Sequence, residues 1–155
     1  MVQARPDGYP VVTPYLIVRD AAAAITFYQR VFGARERMRM PAPGGRVGHA
    51  ELEFGESLIM LADEAPEHHA VAPGDGDGRS VSIHVYVPDS DAVMREAERA
   101  GAKVREPVAD KFYGDRSGSF LDPFGHVWHV ATHVEDVPEN EMHRRMAALM
   151  AGKPG

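Results

Sequence analysis

The chain has 155 residues, 44% of them hydrophobic, so it can bury a core of its own; it has no cysteine, which excludes disulfides and thiolate metal sites. A formal net charge of −6 and the lack of a basic stripe argue against nucleic acid or an anionic membrane as partner. With no secretory leader and no apolar run of ~18 residues, the expectation is a soluble, cytoplasmic protein.

Residues 1–8 read as a frayed N-terminal arm. "TPYLIVRD" (13–20) then reads as a strand, with Asp20 as the N-cap of a following helix. In "AAAAITFYQRVF" the residues Ala24, Ile25, Phe27, Tyr28, Val31 and Phe32 recur at helical spacing, and Gly33 stands where a left-handed stop belongs. A short extended piece, "RERMRMP", leads to "VGHAELEFGESLIMLADE", two strand-like runs joined by a turn after Phe54. These pieces make a first module, residues 9–64.

Residues 65–80, rich in Pro, Gly and Asp, predict a mobile linker with His68 and His69 exposed in it. "GDGDG" lacks the spacing of an EF-hand loop and reads as a flexible turn. A second strand, Val81 to Val87, is followed by a helix that Asp89 or Ser90 caps. Val93, Ala97 and Ala100 form its apolar stripe, and Gly101 ends it. After "KVREPV" comes "SGSFLDPFGHVWHVATH", again two runs joined by a turn. Asp122-Pro123-Phe124-Gly125 has Pro and Gly where a tight turn wants them, so its role is structural, and His126 beyond it is expected to be exposed. Residues 81–134 make the second module. Residues 135–155 are a helical tail from about Pro138, with Met142, Met146, Leu149 and Met150 suited to docking on a neighbouring surface.

The two halves repeat one plan. Val87 follows Val18 by 69 positions, Gly101 follows Gly33 by 68, and Phe124-Gly125 follows Phe54-Gly55 by 70. Each half is strand, helix, strand, strand, strand. The fold class is therefore α+β: two tandem βαβββ modules forming a curved mixed sheet around an open cup, plus a C-terminal helix.

That tandem plan, with strand-Asp-helix-"FYQRVFGA" and "DPFGH", resembles the vicinal oxygen chelate superfamily of glyoxalases, bleomycin-resistance proteins and extradiol dioxygenases. The resemblance covers roughly residues 9–134. "FYGDRSGSFLDPFGHVWHVATH" and "GHAELEFGESLIMLADE" are most similar to the PhnB-like branch. The resemblance implies half-cups completed by paired modules, a homodimer, and a divalent metal held by four His, Glu or Gln side chains in the catalytic members. There the metal polarises substrate oxygens. The four positions fall here on Thr13, Met60, Ser82 and His129 (with Ile59 in place of Met60 if the register slips by one). Three of these are poor ligands for Zn, Ni or Fe.

Strand alternation puts Ser82, His84 and Tyr86 on one face, away from the apolar Val81, Ile83, Val85 and Val87. By the same parity Thr13, Tyr15 and Ile17 face the cup, His49, Glu51 and Glu53 share a face, and His129 points in while Trp128 is core under a helix. His49, Glu51, His84 and His129 are the candidates for a displaced metal or acid/base site, with Glu51 and His129 as the catalytic candidates. The alternative is that they line a polar pocket or bond one another across the sheet. Phe112, Tyr113 and Arg116 in "KFYGDRSG" either gate the cup and hold an anionic or carbonyl group, or form a loop stapled by an Asp115–Arg116 pair. Two functions follow. The first is a small-molecule binding protein without cofactor, taking a planar or amphipathic ligand against Tyr15, His49, Glu51, His84, Tyr86, Phe112, Tyr113, Arg116 and His129. The second is a lyase, isomerase or dioxygenase using Zn, Ni, Mn or Fe at the displaced site.

Overall fold

The computed structural model describes residues 1–152; the last three positions of the tail lie outside the described residues. Among the described residues the chain runs β1 (Tyr15–Val18), α1 (Ala21–Phe32), β2 (Arg35–Ala42), β3 (Arg46–Phe54) and β4 (Ser57–Asp63). It continues with β5 (Ser82–Tyr86), α2 (Ser90–Arg99), β6 (Lys103–Asp110), β7 (Asp115–Leu121), β8 (Val127–His133) and α3 (Glu139–Ala151). The strands form two four-stranded sheets, ordered β1-β4-β3-β2 and β5-β8-β7-β6. In each, the first strand runs parallel to the last and the other pairs are antiparallel. The chain is thus two tandem βαβββ modules with a C-terminal helix.

Two compact units result: Met1–Ser80 with the Asp122–His126 turn, and Val81–Leu121 with the chain from Val127 onward. In the first, the helix starts as its sequence dictates. Asp20 accepts a hydrogen bond from the Ala23 amide at 3.1 Å, and Gly33 ends the helix at φ 68°. The buried face of α1 (Ala24, Ile25, Phe27, Tyr28, Val31) packs with Leu16, Val18, Ala50, Leu52 and Leu61 as the core. These strand residues alternate with Tyr15, Ile17, His49, Glu51 and Met60, which therefore share the opposite face of the sheet.

In the second unit Asp89, not Ser90, is the cap: its carboxylate accepts from the Ala92 amide at 3.0 Å. Ser90 instead ties α2 to the sheet, its amide donating to Thr132 Oγ1 at 2.9 Å and its hydroxyl to the Arg116 carbonyl at 2.9 Å. Trp128, Val130 and Phe120 are fully buried, with Met94 and Ala97 of α2 in the same core. Thr132 has the parity of Trp128, so this is the α2 side of the sheet, and His84, Tyr86 and His129 lie on the other.

One expectation about the loops, the exposure of His126, is corrected. The 65–80 segment carries several hydrogen bonds. Ala65 and Ala70 form a bridge, the Ala72 amide donates to Glu64 at 2.7 Å, and Arg19 donates to the Pro73 carbonyl at 3.0 Å. Arg79 donates to the carbonyls of Gly74, Gly76, Gly78 and Gly125. One guanidinium has five N–H donors, enough to hold a glycine-rich strand of chain whose composition alone reads as loose. His126 is half-buried, with Nε2 at 3.0 Å from the Ile17 carbonyl, because the turn that precedes it is folded into the first unit. His68 and His69 are exposed as expected.

Candidate functional site

The open face of the first sheet carries a continuous hydrogen-bonded chain. Tyr15 on β1 pairs in register with Met60 on β4, and Met60 with Glu51 on β3. His49, two residues before Glu51, therefore points to the same side. The Tyr15 hydroxyl lies 2.8 Å from His49 Nδ1, and His49 Nε2 lies 2.9 Å from Glu51 Oε2. Glu51 is only 2% exposed. Its other partners are the Tyr9 hydroxyl, which donates to both carboxylate oxygens at 2.9 and 3.2 Å, and Arg37, whose Nε is 3.7 Å away. The Arg37 guanidinium also lies 4.3 Å over the Tyr9 ring and donates to the Gly8 carbonyl at 3.1 Å. The end of the N-terminal arm is thus folded onto the sheet.

Burial pushes the Glu51 carboxyl up, but hydrogen bonds from His49 and Tyr9 and the charge of Arg37 outweigh it and hold it below the usual carboxylate range. An ionised Glu51 only accepts, so His49 carries its proton on Nε2 and Nδ1 accepts from Tyr15. Burial, then the Glu51 charge, raises the Tyr15 phenol.

Beside this chain is a cavity of about 590 Å³ that Tyr15 lines together with Ile17, Val47, Ala62, Arg46 and Asp63. Glu64, Glu67 and His68 also line it, so apolar wall and charged groups alternate around the cavity. Asp63 is held by two amides, Ala21 at 2.9 Å and Val47 at 2.7 Å.

The second unit has the equivalent positions with different chemistry. His84 and His129 are register partners on parallel strands, as Tyr15 and Met60 are, and Ser119 is the next residue across. His84 packs against Tyr86 with ring centroids 4.9 Å apart. The Tyr86 hydroxyl donates to Asp115 at 2.8 Å. His133 Nδ1 lies 2.8 Å from the other oxygen of Asp115, and its Nε2 lies 2.7 Å from Asp136. Hydrogen bonds to these two carboxylates raise the His133 imidazole. A hydrogen bond to Asp115 likewise raises the Tyr86 phenol.

The Asp115–Arg116 pair expected from the sequence does not form. Neighbours on a strand point to opposite faces. Asp115 turns to Tyr86 and His133, while Arg116 reaches Asp91 through two hydrogen bonds (2.7 and 3.1 Å) and Asp110 at 3.1 Å. Its guanidinium is committed to carboxylates on the α2 side, and those hydrogen bonds raise its already high pKa. Phe112 and Tyr113 meet edge-to-face at 5.2 Å. The Phe112 carbonyl accepts from Arg145 of α3 at 3.1 Å, and the Tyr113 hydroxyl is 3.4 Å from Ser117.

The sequence-derived candidates therefore assemble as two pairs, His49–Glu51 in one unit and His84–His129 in the other. Tyr9, Arg37 and His133 escaped the sequence reading, and Asp115 was expected to pair with Arg116 rather than with Tyr86 and His133. Strand parity from His129 would have given His133, whose register partner is Asp115; for Tyr9 and Arg37 no periodic signal exists.

The divalent metal that the resemblance implies does not fit these residues. Hydroxyls at Thr13 and Ser82, a thioether at Met60 and one imidazole at His129 are not the donor set of Zn, Ni, Mn or Fe. Among the described residues no group of three or more His, Cys, Asp or Glu side chains is arranged to hold a metal ion. His49 has both ring nitrogens engaged by Tyr15 and Glu51.

Comparison with known proteins places this geometry in a family. The model of the Glyoxalase/Bleomycin resistance protein/Dioxygenase superfamily matches residues 10–130. An uncharacterised protein of Mycobacterium tuberculosis is 38% identical over 142 residues, covering 90% of this chain and 84% of the relative. Among solved structures, TioX from Micromonospora sp. ML1 is similar with a TM-score of 0.60 and 28% identity, over 79% of this chain and 98% of that one. The PhnB protein of Bacillus cereus shares the fold, with a TM-score of 0.64 at 17% identity over 79% of this chain and 99% of that one.

Proposed function

The chain belongs to the Glyoxalase/Bleomycin resistance protein/Dioxygenase superfamily, and from that premise we propose that it binds a small aromatic or amphipathic molecule, without a metal, on the open face of its first module. The cavity lined by Tyr15 carries this reading. Its volume of about 590 Å³ lies within the range of small-molecule sites, roughly 300–1,000 Å³. Ile17, Val47 and Ala62 supply apolar contact. Tyr15 adds a half-exposed ring that can stack on a planar ligand and a hydroxyl held in one orientation by His49. The chemistry at Thr13, Met60 and Ser82 supports a metal-free role, since catalysis in the metal-dependent members needs a Lewis acid that these side chains do not hold.

The reading is tested by a thermal-shift screen of planar aromatic compounds against aliphatic compounds of equal volume. Aromatic compounds are expected to raise the melting temperature in proportion to occupancy. Tyr15→Ala, which removes a largely solvent-facing ring, should abolish that response with little change in the unliganded melting temperature. Equal responses from wild type and Tyr15→Ala would overturn the assignment of the site.

A further inference from the structure

The geometry points to a proton-accepting subsite: the chain Tyr15–His49–Glu51 takes up the proton of an acidic hydroxyl, a phenol or an enol, on the ligand that occupies the cavity of the first module. This rests on the binding reading above and adds the ligand's chemical class. Tyr15 is the residue shared by the cavity and the hydrogen-bonded chain. Its proton is committed to His49 Nδ1, so the capacity that its oxygen has left is to accept, and the ligand group it matches is a donor. Behind it, His49 is held in the tautomer with Nδ1 free of a proton, because Nε2–H is bonded to Glu51. A carboxylate orienting an imidazole whose far nitrogen accepts a proton from a hydroxyl is the arrangement that activates hydroxyls elsewhere.

The step balances within the site. The ligand O–H bond breaks and its proton goes to the Tyr15 oxygen; the Tyr15 O–H bond breaks and that proton goes to His49 Nδ1. The ligand is left as an anion and His49 as an imidazolium paired with Glu51 at 2.9 Å. The cavity that the ligand enters is lined by Arg46, Asp63, Glu64, Glu67 and His68; the charged and titratable groups on the chain itself are Tyr9 from the N-terminal arm and Arg37 from β2, both on Glu51. Both stabilise the ionised carboxylate, which the imidazolium needs. The buried position of Glu51 keeps solvent from screening that pair. A hydroxyl acidified by an electron-withdrawing group gives up its proton more readily than an unsubstituted phenol, which titrates at about 10. The site therefore selects phenols or enols acidified by an electron-withdrawing group.

Two probes of one shape separate this from simple binding: 4-nitrophenol, whose ionised form absorbs in the visible, and nitrobenzene, which has no hydroxyl. Both are titrated into the full chain at fixed pH. Nitrobenzene reports binding by calorimetry, and the absorbance of nitrophenol reports its ionisation. The ratio of phenolate to phenol in the bound state is expected to rise about tenfold over the free compound at the same pH, the low end of what an opposite charge within ~4–6 Å produces. Tyr15→Phe and His49→Gln should lose the rise, read on the bound fraction that calorimetry measures separately for each variant. If both probes bind and the ratio stays at its free value, the proton-accepting subsite is overturned and the binding reading stands. A rise that persists in both variants also overturns it. If neither probe binds, both readings fall.

Discussion

Tyr28 and Asp122, 94 positions apart in the sequence, meet in a hydrogen bond of 2.5 Å inside the first unit. Tyr28 is fully buried and Asp122 is 3% exposed. Asp122 Oδ1 also accepts from the amides of Phe124 and His126, each at 2.9 Å, so a single carboxylate shapes the Asp-Pro-Phe-Gly turn and fastens it to α1. Phe27 and Tyr28 both pack against Phe124. Tyr28→Phe leaves the carboxylate with its two amides and should cost about 1.5–3 kcal/mol, the worth of a hydrogen bond to a charged group. Asp122→Ala removes the acceptor of all three of these hydrogen bonds and should cost more than Tyr28→Phe. Equilibrium denaturation of both variants checks the order; the reverse order would mean that the turn is held by its aromatic packing alone.

Trp128 and His129 are neighbours with opposite environments. Trp128 is fully buried on the α2 side, and His129 is half-exposed on the other face, level with His84. Trp128→Ala should lower stability by about 3–5 kcal/mol. His129→Ala should cost at most about 1–2 kcal/mol, since truncating a half-exposed ring leaves no closed cavity in the core. Denaturant unfolding curves of the two variants measure the difference. A larger loss at His129 would mean that the histidine belongs to the core.

Much of this fold is legible in the sequence because it is written in local chemistry. Asp20, Gly33 and Asp89 are caps whose side chains or conformations act within three residues, and period-two alternation separates Leu16 and Val18 from Tyr15 and Ile17. Tyr15 and Met60 stand in register, and so do His84 and His129, each 69 positions later in the sequence. What stayed hidden depends on long-range geometry. Nothing near Arg79 announces that it will gather four glycine carbonyls, and nothing near Tyr9 predicts that an arm of loop composition will deliver a hydroxyl to Glu51. Asp115 and Arg116 diverge because adjacent residues of a strand point to opposite faces.

Gly114 shows what the "KFYGDRSG" loop demands. It sits at φ +99°, and a Cβ there would lie 2.1 Å from the Glu135 carbonyl oxygen. Its own carbonyl accepts from the amides of Val134 and Glu135 at 2.9 and 3.0 Å. Gly114→Ala should therefore lose about 1–3 kcal/mol to backbone strain alone, with the steric clash added to it. A thermal melt within a degree of wild type would show that the segment after β8 can move aside at no cost.

Metal addition discriminates between the two modes of action open to this superfamily. With Thr13, Met60 and Ser82 at three of the four positions that the resemblance assigns to ligands, added Zn, Ni, Mn or Fe(II) should raise the melting temperature little, because a site without tight ligands gives little linkage. Elemental analysis of protein purified without a histidine tag should find substoichiometric metal. One tightly held equivalent, lost in His129→Ala, would establish a displaced metal site and withdraw the metal-free reading.

Glu51 and His133 should shape the pH dependence of stability from opposite sides. Glu51 has its pKa depressed on folding, so its contribution is fully present above the ordinary carboxylate value, about 4.3, and is lost as pH falls through the lower folded value. His133 has its pKa raised by Asp115 and Asp136. Its contribution is fully present below about 6.5 and is lost as pH rises through the folded value. The two contributions overlap between these limits, so stability should be highest at mildly acidic pH. Unfolding curves across pH 3 to 9 (roughly the span of the two limbs) separate them. Glu51→Gln should flatten the acid limb, and His133→Gln the neutral-to-alkaline limb. His133 is half-exposed and so partly screened by solvent; added salt should weaken its limb more than that of the buried Glu51. An alkaline limb that His133→Gln leaves unchanged would mean that the imidazolium is no better paired in the folded chain than in the unfolded one, and the raised pKa would have to be abandoned.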